Sequence, residues 1–144
     1  MKLIDLEPEF IRWEERTEPS TIVAPGFDTG SDAGVKAWRD AGSPTVQVVR
    51  PVTYLNRVEK VEEAQGLEFN CPRCSNGHSI HVAFRDRGVL DHHGSRDSSG
   101  NPTRWAVSGT SLEDLTLSPS VDCTISNPNC WHGHITNGQI VGGI

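Results

Sequence analysis

The stretch Leu67-Glu68-Phe69-Asn70-Cys71-Pro72-Arg73-Cys74, followed by His78-Ser79-Ile80-His81-Val82-Ala83-Phe84, decides the fold. The two apolar runs on either side of the cysteines predict two strands joined by the turn that carries Cys71 and Cys74. A Cys-x-x-Cys turn at the tip of a hairpin holds two thiolates on one side, as in half of a zinc ribbon. A tetrahedral zinc site then needs two more Cys or His ligands.

The segment Cys130-Trp131-His132 supplies the missing pair of ligands. We therefore predict a structural zinc site with four protein ligands: Cys71, Cys74, Cys130 and His132. His78 is the main alternative for the fourth ligand. Cys123 is an alternative to Cys130, although its neighbours have the pattern of a plain strand or loop. A thioredoxin-like redox pair is disfavoured because it would begin a helix, whereas Ser75-Asn76-Gly77 continues as a turn; two buried free thiols are the plainer alternative.

The composition indicates a thin core over long loops. Among 144 residues only 35% are hydrophobic, and the chain has 14 Gly and 9 Pro. Such a fold gains from a metal, since a structural zinc contributes about 10–16 kcal/mol to folding. We predict a mainly β (β-rich α+β) fold, with a small antiparallel zinc-ribbon-like sheet, one short helix and long loops. Residues 1–144 would form one zinc-stapled domain, with N-terminal strands and an extended loop in 1–50 and the zinc-ribbon-like core in 51–144.

Hydrophobic periodicity and turn residues place the remaining elements. The helix expected over Tyr54–Gln65 has apolar residues at helical spacing and Gly66 as its stop. Pro25–Ala41 is expected to be a loop anchored by Trp38. The other expectations are strands over Phe10–Arg16, Thr45–Val49 and Arg104–Ser108, a break at Ser118-Pro119-Ser120, and a closing hairpin over Gly133–Val141 with its turn at Asn137-Gly138.

The charge pattern excludes several classes of partner. The formal net charge is −6 and no run of five basic residues occurs, so DNA binding is not expected unless four arginines gather on one face: Arg85, Arg87, Arg96 and Arg104. No apolar stretch has transmembrane length. The acidic start Met1–Pro8 lacks a signal core, so we expect a reducing compartment, where thiolates bind metal.

The sequence predicts no reaction. A metal site closed by four protein ligands is structural, because a catalytic zinc keeps an open position for water. The carboxylate pairs Glu62-Glu63 and Glu113-Asp114 have the pattern of solvated faces. A metal-dependent hydrolase, with Asp91, His92 or His134 near the metal, is the alternative to a structural role.

Several blocks of the sequence resemble one uncharacterised family of small proteins of tailed bacteriophages and prophages. The blocks lie in the same order along nearly the whole chain: Leu6–Phe10, Cys71–Cys74, Arg104-Trp105, Ser108–Ser120, Cys130–Gly133 and Ile135–Gly138. The resemblance implies a phage origin and a Cys/His metal site, and it implies no established activity. Phage members are sometimes labelled ammonia monooxygenase, which the absence of a copper-site constellation and of a membrane span does not support.

The resemblance and the closed metal site together predict a non-enzymatic protein that acts through protein contacts. The leading hypothesis is a virion accessory component, either a capsid decoration or a minor head or tail protein. It would be made in the host cytoplasm, located in the virion, and bound to other phage structural proteins or to itself. The second alternative is an intracellular phage regulator that binds a host protein or nucleic acid.

Overall fold

The computed structural model describes residues 1–74, 77–125 and 127–143. The strands are β1 (Glu9–Val23), β2 (Thr45–Val58), β3 (Gly66–Asn70), β4 (Ser79–Ala83), β5 (Ala106–Ser108), β6 (Thr116–Ser118), β7 (Val121–Asp122), β8 (His132–Thr136) and β9 (Gln139–Val141). The helices are α1 (Asp32–Asp40) and two 3-10 turns, Leu3–Leu6 and Val61–Glu63. The predicted class, mainly β with one short helix, is confirmed.

The strands form three sheets. The largest has the order β2-β1-β3-β4, β5 pairs with β6, and the third has the order β7-β8-β9. The chain divides into two compact units, one made of Met1–Trp13 with Leu55–Ile144 and the other of Glu14–Tyr54. Whether the units make up one domain stays a prediction. No helix in the described ranges is long and apolar enough to span a membrane.

The hairpin that carries Cys71 and Cys74 is confirmed. β3 and β4 pair antiparallel from Gly66 opposite Ala83 to Asn70 opposite Ser79, and Cys71 N–H donates to His78 O across the tip at 2.8 Å. The predicted turn at Ser75-Asn76 lies outside the described residues. The closing hairpin is also confirmed, since β8 and β9 pair around a turn whose Asn137 and Gly138 both have positive φ, as the Asn-Gly turn requires.

The helix predicted over Tyr54–Gln65 is wrong. β2 continues through Val58, and only the 3-10 turn Val61–Glu63 follows. β-branched residues fill β2, and their strand preference outweighs an apolar spacing that matches a helix by coincidence. Gly66 is not a helix stop but the first residue of β3, where an added Cβ would lie 2.4 Å from Val82 O.

The helix lies instead within the segment predicted as a loop, Pro25–Ala41. Ser31 caps α1, its hydroxyl accepting the N–H of Gly34 at 3.0 Å, and Lys36 pairs with Asp40 one turn on. The cap and the i,i+4 pair stabilise a short helix that has no buried residue. The Trp38 indole anchors the segment as expected, donating to Pro44 O at 2.8 Å.

The core of the larger unit surrounds the chain just before β8. Trp131 is fully buried, and its ring meets Phe69 edge-on at 6.1 Å between centroids. The Trp131 indole donates to Gly142 O at 2.8 Å. A buried Trp usually finds a partner for its N–H, and here the packed indole lies between Cys130 and His132 in the chain.

Candidate catalytic site and metal centre

Three cysteines and one histidine meet at the tip of the β3–β4 hairpin. Cys71, Cys74, His78 and Cys130 each offer a ligand atom, and these atoms all lie within 4.8 Å of one another. The Cys130 sulfur lies 3.6 Å from that of Cys71, 3.7 Å from that of Cys74 and 3.4 Å from His78 Nδ1. The cysteines form no disulfide.

These spacings fit a tetrahedral metal. Zn–S bonds of about 2.3 Å place two sulfurs of a tetrahedron about 3.8 Å apart, close to the observed separations. Three thiolates and one imidazole form a soft donor set of the kind zinc prefers. The group can therefore hold a metal such as zinc.

The thiols of this group compete for a single negative charge. Burial opposes ionisation of Cys71, but hydrogen bonds from the backbone amides of Arg73 and Cys74 outweigh it and lower its pKa to about 6. The hydrogen bond to the Cys71 sulfur, with burial, raises the pKa of Cys74 to about 12, and burial with the same partner raises the pKa of Cys130 to about 11. A bound cation would let all three ionise, because metal binding releases their protons.

The structure brings together three of the four predicted metal ligands. Cys71, Cys74 and Cys130 meet, but His78 takes the fourth place that was predicted for His132. Sequence spacing favoured His132 because it lies two residues from Cys130. Cys130 and Trp131 lie before β8 and are both buried, whereas His132 is the first residue of β8 and is exposed. Cys123 is not among the four residues of this group, nor are the residues proposed near the metal of a hydrolase: Asp91, His92 and His134.

His132 instead meets Ser120 and Asp122 on one face of the third sheet. β7 and β8 pair antiparallel with Asp122 directly opposite His132 and Val121 opposite Gly133. Val121 and Gly133 are buried and Asp122 and His132 are exposed. Ser120 lies just before β7, and its hydroxyl reaches the His132 ring on this face. The register of two short strands thus gathers a hydroxyl, an imidazole and a carboxylate.

The three side chains follow one another as hydroxyl, imidazole and carboxylate. Ser120 Oγ lies 3.2 Å from His132 Nε2, and the other ring nitrogen, Nδ1, lies 4.0 Å from Asp122 Oδ2. The first distance is a hydrogen bond; the second is longer than one, as catalytic contacts often are before substrate binds. In the described part of the chain, no other serine hydroxyl has a hydrogen bond to a histidine ring.

Thr124 orients the carboxylate. Its hydroxyl and its backbone N–H both donate to Asp122 Oδ1, and in that order they lower the pKa of Asp122; His132 adds a smaller effect in the same direction. Oδ1 is thereby occupied, and Oδ2 is the oxygen that faces His132. An ionised carboxylate beside Nδ1 favours the tautomer whose Nε2 accepts the serine proton.

A cavity of about 580 Å³ opens beside Ser120 and Asp122. Trp105 helps to build it: its indole N–H donates to the Ser120 carbonyl at 3.2 Å. Apolar side chains such as Ile80 and Val82 contribute to its lining. Its volume lies within the range of about 300–1,000 Å³ that is usual for ligand pockets, and Ser120 forms part of its wall.

Sequence reasoning missed two members of this site. Ser120 was interpreted as part of a break and Asp122 as part of a plain strand or loop. The one available signal was the alternating pair Ser120 and Asp122 on either side of an apolar residue. The pairing of β7 with β8, which completes the group, is not visible in the sequence.

A serine hydroxyl bonded to an imidazole that faces a carboxylate is the arrangement of serine hydrolases. The fold and site therefore define a β-rich protein with a candidate serine-hydrolase centre beside a metal-binding cluster. Residues 43–142 match the family model of BubE, described as a bacterial ubiquitination-like system serine protease. The match covers more than half of the chain, and the chain belongs to the BubE family. No curated protein and no solved structure matches it.

The family match corrects the predicted identity and function. The assignment to an uncharacterised family of bacteriophage proteins is wrong, because the matching model is that of a bacterial protease family. The predicted function as a non-enzymatic virion accessory component, with its hydrolase and regulator alternatives, is wrong for the same reason. The expected phage partners and virion location rested on that resemblance, and neither the structure nor the family match tests them.

Proposed function

We propose that this protein is a serine protease whose nucleophile is Ser120, with His132 as general base and Asp122 as the carboxylate that orients it. The observation that carries the proposal is the 3.2 Å contact between Ser120 Oγ and His132 Nε2 on a sheet face that also bears Asp122. The family description agrees with this chemistry.

The reaction follows from the positions of the three groups. Ser120 Oγ attacks the carbonyl carbon of the scissile amide while His132 Nε2 takes its proton. The imidazolium that forms is stabilised by the Asp122 carboxylate, and its proton then passes to the leaving amine. Water, deprotonated by the same imidazole, cleaves the resulting acyl-enzyme and frees Ser120.

The substrate class follows from the family. Its members are described as proteases of bacterial ubiquitination-like systems, so we infer that the protein cleaves amide bonds in the protein components of such a system. A cavity that takes part of a chain beside Ser120 suits a segment of polypeptide.

We further propose that the cluster of Cys71, Cys74, His78 and Cys130 holds a structural zinc. Four protein ligands leave no position for a water nucleophile, which supports a role in folding. Cys130 lies two residues before His132, and the hairpin tip supplies the other three ligands. The zinc would thereby fix the start of β8, and with it His132, against the β3–β4 hairpin.

The test is cleavage of a ubiquitin-like modifier of such a system, extended at its C-terminus by a short peptide and followed by intact-protein mass spectrometry. Wild type should release the extension, and Ser120→Ala should not. Ser118→Ala is the matched control, because Ser118 lies on the same segment but its hydroxyl has no part in the proposed reaction. Equal cleavage by wild type and Ser120→Ala would overturn the assignment of the nucleophile.

A further inference from the structure

Three arginines line the same cavity as Ser120. Arg85, Arg96 and Arg104 contribute to its wall together with Trp105, whose indole bonds the Ser120 carbonyl. The positive charges are notable because the chain as a whole carries a formal net charge of −6. The fourth arginine considered from the sequence, Arg87, does not line the cavity; its guanidinium donates to backbone carbonyls elsewhere.

Trp105 ties two of these arginines to the serine. Arg104 precedes Trp105 in the chain, and Arg85 N–H donates to the Trp105 carbonyl at 2.7 Å. The Trp105 indole reaches the Ser120 carbonyl at 3.2 Å. Buried Trp105 therefore contacts the backbone of both Arg85 and Ser120.

Two of the three guanidinium groups, those of Arg96 and Arg104, are held by backbone carbonyls, which leave their charge in place. Arg96 donates to the carbonyls of Gly100 and Asp91, and Arg104 to those of Thr103 and Leu90. A guanidinium has five N–H donors, so each of these two keeps donors for a ligand. In the ranges that the structure describes, no carboxylate lies within ion-pair distance of any of the three cavity arginines.

The charges also act on one another. Burial lowers the pKa of Arg104; Asp91 opposes that effect and the Arg96 charge adds to it. Bringing like charges together in a partly buried site costs free energy that an incoming anion would recover. Arginine also binds carboxylates through two parallel N–H···O bonds, which fixes their orientation.

We propose that Arg85, Arg96 and Arg104 form a subsite that binds a carboxylate of the substrate close to the bond that Ser120 attacks. The inference rests on the proposed protease function and names a specificity for it. The carboxylate has two sources, an acidic side chain near the scissile bond or the C-terminal carboxylate of the cleaved chain. Both would place an anion on the arginines while the scissile carbonyl lies at Ser120.

The experiment is a cleavage profile on a mixture of peptides made from a bacterial lysate, with cut sites mapped by mass spectrometry. The best substrate is then synthesised in matched pairs. One pair has Glu or Gln at the preferred acidic position, and the other has a C-terminal acid or amide. We expect kcat/KM to fall roughly ten- to hundredfold when the recognised carboxylate is replaced by its neutral counterpart, because one or two charge-assisted hydrogen bonds are lost.

The variants are Arg85→Gln, Arg96→Gln and Arg104→Gln, with Arg50→Gln as control for an equal change of charge outside the cavity. Each cavity variant should lose the preference for the carboxylate, so that its kcat/KM becomes equal for the acidic and the neutral peptide, whereas Arg50→Gln should keep the wild-type preference. Arg96 and Arg104 also donate hydrogen bonds to loop carbonyls, so replacing them can prevent folding. Arg85→Gln removes only an exposed side chain, and it decides the result if either of the other variants fails to fold.

The outcomes separate the two proposals. Cleavage that is equal for acidic and neutral peptides, in wild type and variants alike, overturns the subsite and leaves the protease assignment standing. Absence of any Ser120-dependent cleavage overturns the protease assignment and the subsite together. Binding of a single-stranded oligonucleotide that is lost in the Arg85→Gln protein, with no carboxylate preference, would reassign the arginines to phosphate and also overturn the subsite.

Discussion

Replacing Asp122 by Asn removes the charge that faces His132 Nδ1 at 4.0 Å. In the transition state His132 carries a positive charge, so the lost interaction is that of two unit charges at this distance. It amounts to about 4 kcal/mol at an effective dielectric constant near 20 and about 1 kcal/mol in bulk water. The His132 and Asp122 side chains are 52% and 37% exposed, so we expect a loss of kcat/KM between these limits, roughly five- to a thousandfold.

The assay is hydrolysis of an activated ester such as p-nitrophenyl acetate, with the free energy of unfolding measured in urea for each variant. Asn keeps an oxygen that accepts from Thr124, so Asp122→Asn should change the stability by less than about 1 kcal/mol. Asp40→Asn, which also breaks an exposed ion pair, should leave the rate unchanged within twofold. A rate for Asp122→Asn within twofold of wild type, in a folded protein, would refute the role of Asp122.

Four further predictions follow from the contacts. His78→Ala should lower the metal content of the purified protein, measured by mass spectrometry of the elements, whereas His132→Ala should keep the metal and lose esterase activity; equal metal loss in both would contradict the ligand assignment. Removing the metal with a chelator should lower the melting temperature and the activity together, and zinc should restore both. Gly133→Ala should destabilise the protein by about 1–3 kcal/mol in urea unfolding, because the added Cβ would lie 2.6 Å from a buried indole ring and from a backbone oxygen. Thr124→Val should destabilise the protein at pH 7, and the loss should shrink as the pH falls from the unfolded pKa of a carboxylate, about 3.9, through the lower folded pKa of Asp122, because the stability that a lowered pKa reflects is lost over that range.

Local sequence signals predicted the parts of the fold whose determinants are local. The β3–β4 hairpin follows from two short apolar runs around Cys71-Pro72-Arg73-Cys74, and the β8–β9 hairpin follows from Asn137-Gly138, which prefers the turn that such a hairpin needs. The helix was misplaced because its prediction also depended on local signals alone. An apolar spacing over Tyr54–Gln65 outweighed β-branched composition, while the Ser31 cap of a helix without a buried face was overlooked.

The metal cluster could be predicted in part, and the serine centre could not. Cys71 and Cys74 are close in the chain, so the sequence shows that they act together. The choice between His78, which precedes β4, and His132, the first residue of β8, depends on tertiary contacts. Ser120 and His132 are 12 residues apart, and they meet only because β7 pairs with β8 in one register. A shift of that register by one residue would turn His132 toward the core. No residue type in the sequence indicates which register the two strands adopt.

The most direct test of the account is labelling with a fluorophosphonate, which reacts with the activated serine of a serine hydrolase, followed by peptide mapping. We predict one adduct, located on Ser120, formed by wild type and absent from folded, metal-containing His132→Ala protein. An adduct on another serine, or labelling of Ser120 at the same rate with and without His132, would contradict the proposal that these two residues act together as nucleophile and base.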